Sequence, residues 1–255
     1  MKNPDAQPLA PAPVPADVGI VMALAIEAGY LCDSLKRVRR YTAHTHSIIE
    51  GELAGKIVAV VFTGAGKAAA RHGSEVLIAG HHPRWIISAG FAGGLDPALA
   101  RNDLVIPHQV IDLESNLIAI ERSIPNLPGV KRTEGRLLTV GRLIAHPAEK
   151  AGLRQLHGAD LIDMETSTVA LLAHDRSLRF LAIRVISDDA SAELPAEVAR
   201  LLAHSGSYRM GVALRAIWHR PSALKDFWNL HARALESADR LSACIRRVLE
   251  VLPPA

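Results

Sequence analysis

The 255-residue chain has little of several features that would settle its class at once. Its two cysteines, Cys32 and Cys244, lie too far apart for a disulfide framework or a metal cluster and are typical of a reducing cytoplasm. The formal net charge of +3 is too small to indicate a nucleic-acid partner. No apolar run reaches the ~18 residues that a membrane span needs. Residues 1–16 are rich in Pro and Ala and lack an apolar signal core, so we expect a disordered tail there.

The chain has an ordinary globular composition, and its apolar segments alternate between two patterns. Nearly half of the residues (49%) are apolar, and a chain of this length can bury a sizeable core in one large domain or two small ones. Short apolar runs typical of strands alternate with segments of helical period. This alternation predicts an α/β architecture.

The most informative stretch is residues 158–195, which predicts a strand, a helix and a second strand. Its two apolar runs each end in acidic residues, Asp-Met-Glu at 163–165 and Ser-Asp-Asp at 187–189. Ligands of open α/β sheets bind beyond the carboxyl ends of parallel strands. Two acidic ends on neighbouring strands would therefore gather carboxylates at one rim, which favours acid–base chemistry or the binding of hydroxyl groups.

A third acid, Glu27, follows the predicted first strand at 17–24 and begins a predicted helix over 25–35. If the strands are parallel, Glu27 lies on the same rim as the later acids. An exposed glutamate in the first turn of a helix is an equally good interpretation, because the helix dipole favours an acid there.

Two glycine-rich segments follow apolar runs. Residues 63–67 (Thr-Gly-Ala-Gly-Lys) precede a predicted helix over 68–80, and their small side chains would let backbone N–H groups approach an anion. They do not match a Walker P-loop, which argues against ATP binding. Residues 89–95 hold three glycines after a predicted strand at 84–88, and we favour a ligand-binding loop over a plain turn.

The remaining pattern predicts a hairpin and a basic C-terminal extension. The other elements predicted before residue 158 are a hairpin of strands 45–53 and 56–62, strands at 103–107 and 137–140, a long loop over 112–134 and a helix over 147–156. Residues 205–255 carry eight basic and four acidic side chains, with Trp218 and Trp228 among apolar positions of helical period. Such a segment suits either a weak contact with an anionic membrane surface or a helical extension packed on the domain, and we favour the second.

Four stretches together resemble the nucleoside phosphorylase/nucleosidase superfamily, most closely its methylthioadenosine/S-adenosylhomocysteine nucleosidase branch. In the family's order they are VGIVMALAIEA at 18–28, FTGAGKAAA at 62–70, ISAGFAGGLDPALARNDLVIP at 87–107, and LIDMETSTVA with FLAIRVISDDA at 161–190. The C-terminal tail and the LDPALARNDLVIP stretch further resemble members associated with hopanoid biosynthesis, which are thought to remove adenine from adenosylhopane.

The resemblance implies a three-layer α/β/α domain with a mixed central sheet over residues 17–204, followed by the helical extension at 205–255. It also implies a cytoplasmic homo-oligomer, usually a homodimer, that binds a purine nucleoside and uses neither metal nor cofactor. The expected activity is hydrolysis of the N-glycosidic bond of a 5′-modified adenosine, with release of adenine. The substrate would resemble methylthioadenosine and S-adenosylhomocysteine, or adenosylhopane.

The family's chemical roles fall on the acidic strand ends and on Glu27. Asp188 would protonate the departing purine, which requires a carboxyl that partial burial keeps protonated near neutrality. Glu27 would activate water, and the ionised Glu165 would accept hydrogen bonds from the ribose hydroxyls. Met164 would pack under the sugar, and Ser187 would orient Asp188.

Five further positions are expected to contact the nucleoside. The residues beside the sugar and the nucleophile would be Phe91, Ala92 and Gly93. The residues stacked on the purine would be Leu143 and Ile144. Two positions depart from the family, since Phe91 stands where nucleosidases usually carry serine and Ser88 where phosphorylases place an arginine that binds phosphate. These departures favour hydrolysis over phosphorolysis, and the bulky Phe91 would suit a large apolar 5′ substituent.

Two other functions stay open at this point. A phosphate-dependent purine nucleoside phosphorylase of the same fold would need Lys67 or Arg71 to reach the glycine-rich loop. A non-catalytic nucleoside- or lipid-binding protein, held at the inner face of a membrane by residues 205–255, would bind without turnover. The acidic residues argue against the second alternative, because binding alone does not need an acid at Asp188.

Overall fold

The computed structural model describes residues 13–114, 116–120, 124–193 and 221–253, in which strands alternate with helices. The strands are β1 (Val18–Met22), β2 (Lys36–Ala43), β3 (His46–Leu53), β4 (Lys56–Phe62), β5 (Trp85–Gly94), β6 (Leu104–Asp112), β7 (Leu117–Ala119), β8 (Val130–Thr139), β9 (Ala159–Asp163) and β10 (Arg179–Asp188). The helices are α1 (Lys67–His81), α2 (Pro147–His157), α3 (Thr166–Asp175) and α4 (Pro221–Val251), with one short 3₁₀ helix at Ala25–Ala28.

The ten strands form one mixed sheet whose far end closes on itself. Its middle is parallel, because β1 lies between β4 and β5 and runs in the same direction as both. On the other side of β5 the sheet forms a ring of five strands, in the order β5, β10, β6, β8 and β9, with β9 pairing back onto the end of β5. The carboxyl end of β5 is therefore flanked by both β9 and β10.

Helices cover the sheet and bury its aliphatic strands. All five residues of β1 are buried, as expected for a parallel strand that is covered on both faces. Helices α1 and α3 pack against each other, whereas α4 packs on the 3₁₀ helix and on β10. The predicted α/β/α fold with a mixed central sheet and a C-terminal helix is confirmed.

The predicted helix over residues 25–35 is wrong beyond its first turn. The 3₁₀ helix ends at Gly29, whose φ of +46° disfavours a side chain. A Cβ placed on Gly29 would also lie 2.9 Å from the backbone of Ala238 in α4. Turns follow as far as Ser34, and β2 begins at Lys36. Since α4 contacts the chain at this point, the C-terminal helix supports the segment that carries Glu27.

Three other expectations need correction. The glycine-rich segment 89–95 is not a loop, because β5 continues through it as far as Gly94. The predicted loop over 112–134 contains β7 and the first residues of β8. Strands β9 and β10 are not neighbours in the sheet, although each pairs with β5 at Gly93.

Part of the C-terminal extension joins the core. Its buried apolar residues are Ala238, Leu241, Cys244, Ile245, Val248, Leu249 and Leu252. Both cysteines of the chain are free and buried. Residues 1–12 of the tail predicted over 1–16 lie outside the described residues, as do Trp218 and the side chain of Trp228. The end of that tail is ordered, because Ala16 is buried and its N–H donates to the backbone oxygen of His81 at 2.8 Å. No helix in the described part of the chain is long and apolar enough to cross a membrane.

Candidate functional site

A small cavity lies where the carboxyl ends of the parallel strands β1, β4 and β5 meet. Three charged residues line it, namely Glu27, Glu165 and Arg184, together with backbone and small side chains of β5. Strand ends of this kind are the usual ligand site of α/β sheets. The structure therefore brings Glu27 and Glu165 together, as predicted. It does so although β9 and β10, whose acidic ends were expected to lie side by side, are separated by other strands.

Glu27 is buried and held by backbone donors rather than by side chains. The N–H of Phe91 donates to its Oε1 at 3.0 Å, and the N–H of Leu24 donates to its Oε2 at 2.8 Å. Burial raises the pKa of Glu27 above its usual value, against the lowering effect of these two N–H groups. The interpretation as an exposed first-turn glutamate is wrong, since only 5% of the residue is accessible.

Gly90 provides the space that this carboxylate occupies. A Cβ at Gly90 would lie 2.7 Å from Oε1 of Glu27. Since the sequence predicts that Glu27 activates water, we expect Gly90→Ala to displace the carboxylate and to lower kcat/KM for the predicted hydrolysis about tenfold or more, because small misplacements of a reacting group are costly. The measurement is steady-state kinetics beside a thermal melt. Gly141→Ala is the control, since its Cβ would meet nothing within 4 Å. Unchanged kcat/KM in a folded Gly90→Ala protein would contradict the role predicted for Glu27.

Glu165 lies just before α3 and reaches across to the glycine-rich turn after β4. The N–H of Gly66 donates to its Oε1 at 2.7 Å, and the N–H of Met164 lies 3.3 Å from its Oε2. The backbone N–H of this turn thus binds a carboxyl group of the protein itself. Burial and the neighbouring charge of Asp163 raise the pKa of Glu165 to about 8. The expectation of an ionised Glu165 therefore does not hold for the free protein at neutral pH.

This raised pKa makes a prediction about stability. The unfolded chain loses the Glu165 proton near the ordinary pKa of 4.5, whereas the folded chain keeps it up to about pH 8. The contribution of Glu165 to stability is therefore fully present below pH 4.5 and is lost as the pH rises through this window. We expect Glu165→Gln to gain on the order of 5 kcal/mol over wild type between pH 4.5 and pH 9, because each unit of the pKa difference corresponds to about 1.4 kcal/mol.

Urea unfolding at both pH values measures this difference. Glu75→Gln is the control, because Glu75 lies on α1 and pairs with Arg71 away from the cavity. Its difference from wild type should stay constant with pH. If the difference in unfolding free energy between Glu165→Gln and wild type is also constant with pH, it would contradict a Glu165 carboxyl group that is buried and protonated in the folded protein.

Arg184 lies under the cavity and was missed by the sequence analysis. Its Nε and Nη2 donate to Asp163 at 3.2 and 2.8 Å, and its Nη1 donates to the backbone oxygens of Ser88 and Ile183 at 2.9 and 3.0 Å. Nη2 also contacts the hydroxyls of Ser88 and Thr166. All five N–H groups of the guanidinium thus have acceptors within the protein. A buried arginine inside an aliphatic strand is itself the signal, since such a charge needs a buried acid.

Asp188 lies at the end of β10, next to Gly93 and outside the lining of the cavity. A Cβ at Gly93 would be 3.2 Å from its Oδ2. Gly90 and Gly93 are three residues apart on β5, or about 10 Å along a strand. The Ser187 hydroxyl donates to Asp188 Oδ1 at 2.6 Å, as the predicted orienting role requires, and also lies 3.2 Å from the backbone oxygen of Ala92.

The second oxygen of Asp188 has an unexpected partner. Lys150 of α2 donates from Nζ to Oδ2 at 2.6 Å. Asp188 thus has a direct contact with a cation, which the sequence analysis did not predict. Lys150 was missed because a polar helix such as α2 predicts exposed lysines.

The remaining predicted contacts form a second apolar group beside Asp188. Ile144 is buried in a cluster with Leu138 and Ile162, and Met164 packs against it. Leu143 is half-buried. Met164 and Ile144 thus belong to one apolar group, and their contact with a ligand stays a prediction. In the described part of the chain, no group of three or more His, Cys, Asp or Glu side chains could hold a metal ion.

Comparisons with known proteins agree with the fold. The family model described as "Phosphorylase superfamily" matches residues 17–119 and 119–217. A 5′-methylthioadenosine/S-adenosylhomocysteine nucleosidase of Shewanella sediminis is 27% identical over 216 residues, which are 75% of this chain and 94% of the relative. The nucleosidase of that name from S. pneumoniae, solved with the transition-state inhibitor MT-ImmA, is 17% identical with a TM-score of 0.69, covering 92% of this chain and 99% of its own. Native futalosine hydrolase of Helicobacter pylori is 17% identical with a TM-score of 0.66, covering 92% and 98%.

Proposed function

The chain belongs to the Phosphorylase superfamily, and on this premise we propose that it is a purine nucleosidase that hydrolyses the N-glycosidic bond of a 5′-modified adenosine. The observation that carries the proposal is Glu27, a buried carboxyl group that lines the cavity and is fixed there by the N–H of Phe91. Hydrolysis needs such a base because the attacking water must lose a proton. The nucleosidase relatives support the same reaction type.

The proposed reaction divides the work among three carboxyl groups. The bond between C1′ and the purine nitrogen breaks, and its electron pair leaves with the purine. Asp188 gives a proton to the purine, so that it departs as a neutral base. Glu27 takes a proton from the water whose oxygen bonds to C1′. Glu165 binds the ribose hydroxyls, with its position fixed by the N–H of Gly66.

The charges around the cavity support water rather than phosphate as the nucleophile. Arg184, the one cation that lines the cavity within the described residues, has no N–H left for an incoming phosphate. Lys67 lies 3.5 Å from Glu114, and Arg71 lies 3.1 Å from Glu75. Neither Lys67 nor Arg71 lines the cavity, although a phosphorylase of this fold would require one of them to reach it.

The 5′ substituent is the finer part of the proposal. The relatives' names point to methylthioadenosine and S-adenosylhomocysteine. An adenosylhopane-like substrate rests on the sequence resemblance and on the bulky Phe91, which is half-buried at the cavity. The homo-oligomeric state, the cytoplasmic location and the membrane contact of residues 205–255 stay predictions, as does the division at residue 204.

The test is adenine release from methylthioadenosine, S-adenosylhomocysteine and adenosine carrying an apolar 5′ chain, each with and without phosphate. We expect release from at least one of the three at the same rate in both conditions. Release that requires phosphate would replace the nucleosidase with a phosphorylase. Tight binding of all three without any release would favour a non-catalytic nucleoside-binding protein.

A further inference from the structure

Lys150 is the most deeply buried lysine or arginine in the described part of the chain. The residue is completely buried, although it lies in the first turns of the polar helix α2. Its Nζ donates to Asp188 Oδ2 at 2.6 Å, to the backbone oxygen of Asp189 at 2.6 Å and to that of Ala192 at 3.5 Å. Three acceptors match the three N–H donors of an ammonium group, whereas a neutral amine has two.

A buried charge of this kind needs a reason beyond stability. Burying an ion pair costs desolvation that the attraction within the pair only roughly offsets, and a well-packed apolar pair is often as stable. Lys150 also ties the carboxylate of Asp188 to the turn over residues 189–192, so one side chain fixes both the acid and the backbone that follows it. Ser187 holds the other oxygen of the same carboxylate. The acid is thus oriented from both sides.

We propose that Lys150 is a positioning residue that orients Asp188 and supplies the proton that Asp188 delivers to the departing purine. This inference rests on the proposed nucleosidase activity. Nζ of Lys150 lies one hydrogen bond away from Asp188 Oδ2, so Lys150 can replace the proton that Asp188 gives to the purine. The pair carries one transferable proton in either arrangement, as ammonium with carboxylate or as amine with carboxylic acid.

The proton balance closes over one turnover. As the C1′–N bond breaks, the purine nitrogen takes a proton from Asp188, and Asp188 takes one from Nζ of Lys150. Water bonds to C1′ and leaves its proton on Glu27. After the products depart, Glu27 returns its proton to solvent and the neutral amine of Lys150 takes one up. The net change is one nucleoside and one water converted to adenine and a free sugar.

The test compares two leaving groups in Lys150→Met, Asp188→Asn and the double variant. One substrate is the adenosine derivative that the wild type cleaves, and the other is the 4-nitrophenyl riboside with the same 5′ group. Nitrophenolate leaves without protonation, so a defect in leaving-group protonation affects only the nucleoside. We expect Lys150→Met to lose about 10²-fold in kcat on the nucleoside and less than about threefold on the nitrophenyl riboside. The double variant should be no more than about threefold slower than Asp188→Asn alone.

Lys131→Met is the matched control. Lys131 makes the same kinds of contact, with Asp103 Oδ2 at 2.5 Å and the backbone oxygen of Ala98 at 3.1 Å, but 47% of its side chain is exposed. Its kinetics should equal those of wild type on both substrates. If circular dichroism shows that Lys150→Met does not fold, the two leaving groups are compared in Lys150→Gln instead, with the same expected results.

Each outcome bears on a separate statement. Equal losses on the two substrates would mean that Lys150 is only structural and would overturn the inference alone. Losses that multiply in the double variant would show that Lys150 acts independently of Asp188, with the same consequence. If the wild type releases adenine from no adenosine derivative, the proposed function fails and the inference falls with it.

Discussion

Asp188→Asn is expected to lower kcat for adenine release by about 10²- to 10⁴-fold, the usual contribution of a general acid. An amide cannot deliver a proton to the purine, although it keeps the size of the side chain and its hydrogen bond with Ser187. KM should change much less than kcat, because the acid acts in the transition state rather than on the bound nucleoside. Steady-state kinetics on the adenosine derivative cleaved by wild type, with a thermal melt, measures both effects.

Asp189 offers a control of the same residue type one position along the chain. Its carboxylate accepts hydrogen bonds from the backbone and hydroxyl of Ser191, and these bonds lower the pKa of Asp189. Lys150 contacts only its backbone oxygen. We expect Asp189→Asn to keep kcat within about threefold of wild type. A comparable loss in both variants would show a general disturbance of the turn, and a small loss in both would remove Asp188 from the reaction.

Local patterns in the sequence predicted many of the elements. The apolar runs of β1 and β4 and the hairpin of β3 with β4 follow directly from aliphatic segments separated by turn residues. Helices α1 and α2 match the predicted bounds within one residue at each end. The segment after β1 failed because its length depends on Gly29 meeting α4, a contact between residues that lie about two hundred positions apart.

The sheet order was the least predictable part of the fold. Acidic residues at the ends of two strands suggested that β9 and β10 were neighbours. In the structure β5 separates them, because its last residues pair with β9 on one side and with β10 on the other. The glycines of residues 89–95 allow this close approach, as shown by the spaces next to Glu27 and Asp188. Pairing between distant strands leaves little trace in a local pattern.

The candidate site, like the fold, has some parts that the sequence predicts and others that it does not. Glu27, Glu165 and Asp188 were predicted from strand ends and from a family resemblance, and two of them line one cavity. Lys150 and Arg184 were not predicted, since their roles arise from partners that only the fold brings close. A weak signal existed for Lys150, which precedes the core-packed Leu153 by three residues and so lies on the same face of α2.

Glu27→Gln is expected to lower kcat for hydrolysis by about 10²- to 10⁴-fold, because the amide cannot accept a proton from water. Gln keeps an oxygen for the N–H of Phe91, so the variant should fold and bind nucleoside with little change in KM. Glu52→Gln serves as the control, since the Glu52 side chain is 40% exposed and pairs with Arg37 at 2.7 Å. Its kinetics should match those of wild type.

The pH dependence of the wild type makes the role of Glu27 more specific. A general base must be deprotonated to act, and burial raises the pKa of Glu27 above the usual 4.5. We therefore expect kcat/KM to fall as the pH drops through a value above that of an ordinary glutamate, and the fall to be absent from the residual activity of Glu27→Gln. If kcat/KM of Glu27→Gln still falls as the pH drops, a group other than Glu27 causes the loss of activity at low pH. Full activity of Glu27→Gln would mean that water is not activated here, and the hydrolytic assignment would then lose the observation on which it depends.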